Sequence, residues 1–180
     1  MSVDERMVHD IVQKVMANMQ ISGSVSGMHG VFKDMNDAIN ASIEAQKKVC
    51  TMTLDQREQI ISLIRKKTHE NAEILANMGV NETGMGNVGD KILKHHLTAD
   101  KVPGTEDIST IAWSGDRGLT LVEMGPFGVI GAITPATNPS ETVICNCIGM
   151  LAGGNTVVFN PHPNAKKTTI YTINMINEAS

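Results

Sequence analysis

The sequence predicts an α/β fold in which an N-terminal helical layer leads into the first strands of a parallel sheet. Two observations carry this expectation. Residues 31 to about 100 place apolar side chains at helical spacing, whereas the later chain holds short β-rich runs, LTLVEM, FGVIGAIT and TVVFN. ETVICNCIGMLAGG and NAKKTTIYTINMINEA read as helices, so strand, helix, strand and helix follow one another with short connections. Two strands do not make a stable doubly wound sheet. The domain is therefore expected to be incomplete within this chain, or to draw strands from its first half.

Composition narrows the class. At 180 residues, with 41% hydrophobic and 19% charged residues, the chain has the make-up of one globular domain. A net charge of −4, with no basic run longer than Arg65-Lys66-Lys67, argues against nucleic acid as a partner. The N-terminus carries Asp4 and Glu5 and lacks both a basic leader and an apolar block, so a secretory signal is not expected and the protein is read as intracellular. No window approaches the roughly 18 consecutive apolar residues of a membrane span. Cys50, Cys145 and Cys147 are an odd set of thiols, which speaks against a disulfide framework. Twelve methionines against one tryptophan, one tyrosine and three phenylalanines point to a core of aliphatic side chains and thioethers.

Three regions follow along the chain. Residues 1–20 place Val8, Ile11, Val12, Val15, Met16 and Met19 on one stripe of a short amphipathic helix. Residues 21–30, with Gly23, Gly27, Gly30 and three serines, form a flexible linker. A marginal helix on such a tether either packs back on its own domain or buries its stripe in a partner, and its mixed-charge polar face does not suit a membrane surface. Residues 31–180 are the globular part. Asp34 or Asn36 caps a helix running to Ala45, with Val31-Phe32 placed as a hydrophobic staple. Thr53 with Gln56 forms a capping box for a longer helix that Gly79 or Gly84 interrupts. A further helix spans about Val88 to Leu97, and Pro103-Gly104 marks a turn. Strands begin after Trp113, and Gly153-Gly154 supply a left-handed end to the helix that precedes the last strand.

The chemistry-bearing stretch is GPFGVIGAITPATNPSETV, residues 125–143. Its glycines at 125, 128 and 131 lack the G-x-G start of a dinucleotide fingerprint and read as turn and close packing. In a parallel α/β sheet, ligands gather at the carboxyl ends of strands, which is where TPATNP falls. Pro139 suits the first helical turn, and Asn138 before it either caps the helix or offers its amide to a ligand. Cys145 and Cys147 lie in an apolar run two positions apart, pointing roughly 200° from one another, and read as buried small hydrophobes. His95-His96 has no metal-ligand spacing to another cluster and reads as a solvated helix end.

ETGMG at 82–86, PFGVIGAITPATNPSETVICN at 126–146 and AGGNTVVFNPHPNAKK at 152–167 together resemble the aldehyde dehydrogenase superfamily. More narrowly they are similar to the CoA-acylating propionaldehyde and acetaldehyde dehydrogenases of bacterial microcompartments, and the resemblance runs across essentially the whole chain. It implies an aldehyde dehydrogenase-like fold whose NAD domain has a Rossmann-like sheet. It also implies oxidation of a short aldehyde: a cysteine thiolate attacks the carbonyl, hydride passes to NAD, and the thioester is transferred to coenzyme A. Asn138 would then donate to the developing oxyanion, a task suited to a neutral amide. In non-acylating relatives that asparagine stands two residues before a proline, and here it stands one before Pro139.

By the same resemblance Thr134, Pro135, Ala136 and Thr137 line the nicotinamide, and Asn160, Pro161 and His162 approach the adenosine ribose. Many non-acylating relatives have a lysine where Asn160 stands and an acid where Pro163 stands, so PHP favours coenzyme A over water as acyl acceptor. The nucleophilic cysteine, the general-base region and the oligomerising C-terminal strand would lie beyond Ser180, in a homo-oligomer, and the segment alone is expected to be inactive. Residues 3–19 would be an encapsulation helix docking to microcompartment shell proteins, which places the protein in the microcompartment lumen. The alternative is a truncated, non-catalytic shell- or subunit-binding protein acting through its N-terminal helix.

Overall fold

The structure is a computed structural model that describes residues 29–178. The expected amphipathic helix and most of its linker lie outside the described residues. Three helices open the fold: α1 (Met35–Val49), α2 (Leu54–Thr83) and α3 (Val88–Lys101). A hairpin of β1 (Ile111–Gly115) and β2 (Gly118–Val122) follows, then β3 (Val129–Thr134), α4 (Pro139–Ala152), β4 (Thr156–Pro161) and α5 (Lys166–Asn177). The hairpin is antiparallel, whereas β3 and β4 pair in parallel with Thr134 opposite Pro161. The α/β class and its helical opening layer stand as expected.

Local chemistry explains most boundaries. Asp34, rather than Asn36, caps α1 by accepting from the Asn36 amide at 2.8 Å, and α1 runs past Ala45 to Val49. The capping box of α2 is complete: Gln56 N reaches Thr53 Oγ1, and Thr53 N reaches Gln56 Oε1. Gly79 does not interrupt this helix. It is buried inside it, and Gly84 ends it at φ +69°, a conformation glycine adopts without steric cost. Helix α3 extends to Lys101, beyond the expected Leu97. Of the two glycines after α4, only Gly154 is left-handed, at φ +77°, while Gly153 stays at −71°.

Strand β1 was not foreseen. Ile111 to Trp113 fall before the point at which the sequence reading starts strands, yet they pair with Thr120 to Val122 across the Asp116-Arg117 turn. Every residue of this hairpin is exposed, so it carries none of the half-buried alternation by which a strand is recognised.

The core sits between α2, α4 and α5. Ile61, Ile64 and Leu75 meet Val143, Ile144 and Ile148, with Met175 and Ile176 closing the cluster. Helix α1 packs on β4: Ser42 Oγ donates to Thr156 Oγ1 at 2.9 Å, and Gln46 accepts from Thr156 N and donates to the Gly154 carbonyl. Cys145 is exposed and so is not the buried hydrophobe expected, because α4 buries its opposite face. Cys147 lies against the core, and burial pushes its thiol up to about 12. That value keeps it protonated and unreactive.

Candidate active site

The parallel pair brings two loops together at one end. The amide of His162 donates to the Thr134 carbonyl at 3.1 Å, so the ends of β3 and β4 are tied just where each strand stops. Thr134 is 1% exposed, and its Oγ1 has no hydrogen-bond partner among the described residues. Ala136 is buried, whereas Pro135 and Thr137 are exposed. At the end of β4 and just after it, Asn160 and His162 are exposed and Pro161 is half-buried. His162 Nδ1 accepts from Asn164 N at 3.1 Å and caps the short turn Pro163–Ala165.

Asn138 starts α4 through its backbone, its carbonyl accepting from Thr142 N at 3.0 Å. Its side chain makes no cap bond, contrary to the capping role that was one reading of the sequence. The amide oxygen instead accepts from Lys94 Nζ at 2.9 Å.

Lys94 is one of three residues that α3 turns toward this loop. Lys91, Lys94 and His95 stand at i, i+3 and i+4, which places them on one face of a helix. Lys91, 5% exposed, donates to the Thr137 carbonyl at 3.1 Å and lies 3.4 Å from Glu141 Oε1 in a buried ion pair. Such a pair recovers little net stability against its desolvation, but losing one member leaves a buried charge.

His95 is fully buried and therefore not the solvated helix end the sequence suggested. Its Nδ1 is 2.6 Å from the Lys91 carbonyl, which can only accept, so that nitrogen carries hydrogen. Burial holds the ring below its ordinary value, against the opposing pull of Glu141. Nε2 lies 2.8 Å from Ser140 Oγ, and that hydroxyl donates to Glu141 Oε2 at 3.1 Å. Helix α3 thus grips both sides of Asn138, through Thr137 before it and through Ser140 and Glu141 after it. His96, the neighbour, stacks on His69 with ring centroids 4.9 Å apart. Among the described residues no group of three or more His, Cys, Asp or Glu could hold a metal ion.

A helical layer and a parallel strand pair whose following loops meet at the strands' carboxyl ends, the place where ligands gather in such sheets, define an α/β fold. Within it the family is plain: residues 15–180 match the model of the aldehyde dehydrogenase family, and the chain belongs to that family. An acetylating acetaldehyde dehydrogenase of Bilophila wadsworthia is 46% identical over 97% of this chain and 38% of its own length. A propionaldehyde dehydrogenase from the fucose utilisation bacterial microcompartment of Clostridium phytofermentans is 75% identical, with a TM-score of 0.82 over 84% of this chain and 35% of that one. Rhodopseudomonas palustris propionaldehyde dehydrogenase, solved with bound CoA, is 47% identical with a TM-score of 0.80, over 83% of this chain and 35% of that one. The chain therefore spans little more than a third of the length of these relatives.

The sequence singled out the two loops but missed Lys91, Lys94, His95, Ser140 and Glu141. One signal was present: a Lys-x-x-Lys-His spacing that no isolated surface helix requires.

Proposed function

We propose that this chain is part of an enzyme that oxidises a short aldehyde, propionaldehyde or acetaldehyde, to its acyl-CoA with NAD as hydride acceptor. The observation that carries the reading is Asn138, whose side chain is not consumed in capping α4 and stands at the carboxyl end of β3 with its amide hydrogens uncommitted among the described residues. A neutral N–H donor in that place suits the oxyanion that forms when a thiolate adds to an aldehyde carbonyl. The site's residues would suit a dinucleotide: Thr134 carries a hydroxyl without a partner among the described residues, and Pro135 and Thr137 are exposed on either side of buried Ala136. Asn160, Pro161 and His162, at the end of β4, would face the ribose. Bound nicotinamide supplies the hydride acceptor. Coenzyme A as acyl acceptor is supported by the acylating relatives and by the absence of a lysine at 160.

Residues 31–180 would then be the N-terminal part of the NAD domain, joined by the linker 21–30 to a helix at 3–19 that docks to microcompartment shell proteins in the lumen. No helix among the described residues is long and apolar enough to cross a membrane. The test is a steady-state assay of the full-length protein with propionaldehyde and NAD, with and without CoA. NADH formation sustained only when CoA is present, with propionyl-CoA as product, is the expected result. Sustained turnover to the free acid without CoA would overturn the acylating reading. No NADH under either condition would favour a non-catalytic shell-binding protein.

A further inference from the structure

A lysine ammonium has three N–H donors and no acceptor, so its 2.9 Å contact with Asn138 can be made only by the amide oxygen. The contact thereby settles which way the Asn138 amide is turned: Oδ1 toward α3 and Nδ2, with both hydrogens, away from it. Without Lys94 the two ends of the amide are nearly the same size, and nothing else among the described residues holds the oxygen. The donor would then rotate between an orientation that presents N–H and one that presents a carbonyl oxygen. The second is repulsive to an oxyanion. A cation at the oxygen also draws electron density from the amide nitrogen and makes its hydrogens stronger donors.

We propose that Lys94 is the positioning residue of the oxyanion site, fixing and polarising the Asn138 amide from outside the reacting centre. The inference rests on Asn138 being the oxyanion donor. Three further observations fit it. Lys94 stands on the same helix face as Lys91, which holds the Thr137 carbonyl at 3.1 Å, so the backbone before Asn138 and the side chain of Asn138 are fixed by one rigid element. His95, next along that face, binds Ser140 just after it. Lys94 itself is exposed and is not among the residues of the core cluster, and ordering its long side chain is entropically costly.

The test is a double-mutant cycle in the full-length protein, using Lys94→Met, Asn138→Ala and the pair, with kcat and the KM for NAD measured for each and thermal melts as the control for folding. Removing an oxyanion donor costs on the order of 10²–10³ in kcat, and leaving the donor present but free to rotate should cost about tenfold. The expected result is that Lys94→Met lowers kcat about tenfold in the parent protein but less than about twofold once Asn138 is alanine, with KM for NAD little changed. Lys94→Arg, which keeps a donor-only cation, should recover most of the loss. Equal losses in both backgrounds would show a lysine acting independently of the amide and would overturn the proposal while leaving Asn138 as donor. No loss from Lys94→Met would overturn it too. If Asn138→Ala itself left kcat unchanged, the donor reading would fall and this inference with it.

Discussion

At position 138 one side chain has two available tasks, and the neighbouring helix decides between them. A free asparagine ahead of a proline-led helix would cap it, which is the cheaper arrangement locally. Here its oxygen accepts from Lys94 instead, and the start of α4 is secured by Ser140 and Glu141 against His95 and Lys91. The same cluster predicts a pH dependence. Burial lowers the folded-state pKa of His95 below its value of 6.5 in the unfolded chain, so the unfolded chain takes up the proton first. The stabilisation is complete above about pH 6.5 and is lost as pH falls from there toward the lower folded-state value. Glu141 and the hydrogen bond to the Lys91 carbonyl oppose that shift, and the nearby charges of Lys91 and His96 reinforce it more weakly. Urea unfolding at pH 7.5 and 5.5 should show a stability loss at the acid value that shrinks in His95→Gln. An unchanged difference in that variant would assign the pH dependence to other groups.

Among the elements, α5 shows how a motif can be visible before its task is. Glu82, the first residue of ETGMG, accepts from Lys167 N, Thr168 N and Thr168 Oγ1, each at 2.7 Å, and so caps a helix that begins more than eighty residues later. Its carboxylate meets the positive end of α5 and leaves those amides unavailable to a phosphate. Replacing Glu82 by alanine should cost about 1–3 kcal/mol in denaturant unfolding, and glutamine should cost less because it keeps one acceptor. A change below about 0.3 kcal/mol for alanine would mean that water replaces the carboxylate without loss.

The contrast with Thr53 and Gln56 shows what the sequence could and could not convey about the fold. Their capping box closes over three residues and was legible as a pattern, as were the helices and the strands β3 and β4. Glu82 and α5, or Lys94 and Asn138, which are 44 residues apart, are joined only by the fold. The candidate site was legible as its loops, because proline, glycine and asparagine punctuate them. Its supporting helix face was not, since two lysines and a histidine on an amphipathic helix read equally well as a solvated surface. Strand β1 escaped for a different reason: exposed on both faces, it has no burial rhythm to detect.

Across the whole molecule the apolar residues are unevenly housed. The core between α2, α4 and α5 is closed, but Phe127 is 96% exposed and Ile133 85%. The hairpin presents Ile111, Trp113 and Val122 on one face and Leu119 and Leu121 on the other. Among the described residues, β3 and β4 have only one another as partners, so each offers an unpaired edge. Exposed apolar groups beside open strand edges favour association. Prepared as residues 1–180, the chain should self-associate increasingly with concentration in sedimentation velocity, and a single monomer species across the range would contradict this. The most direct measurement is at the site itself: kcat of Asn138→Ala in the full-length protein with propionaldehyde, NAD and CoA. An oxyanion donor predicts a fall on the order of 10²–10³ with KM for NAD nearly unchanged, whereas a kcat within about twofold of the parent would show that Asn138 does not touch the reaction.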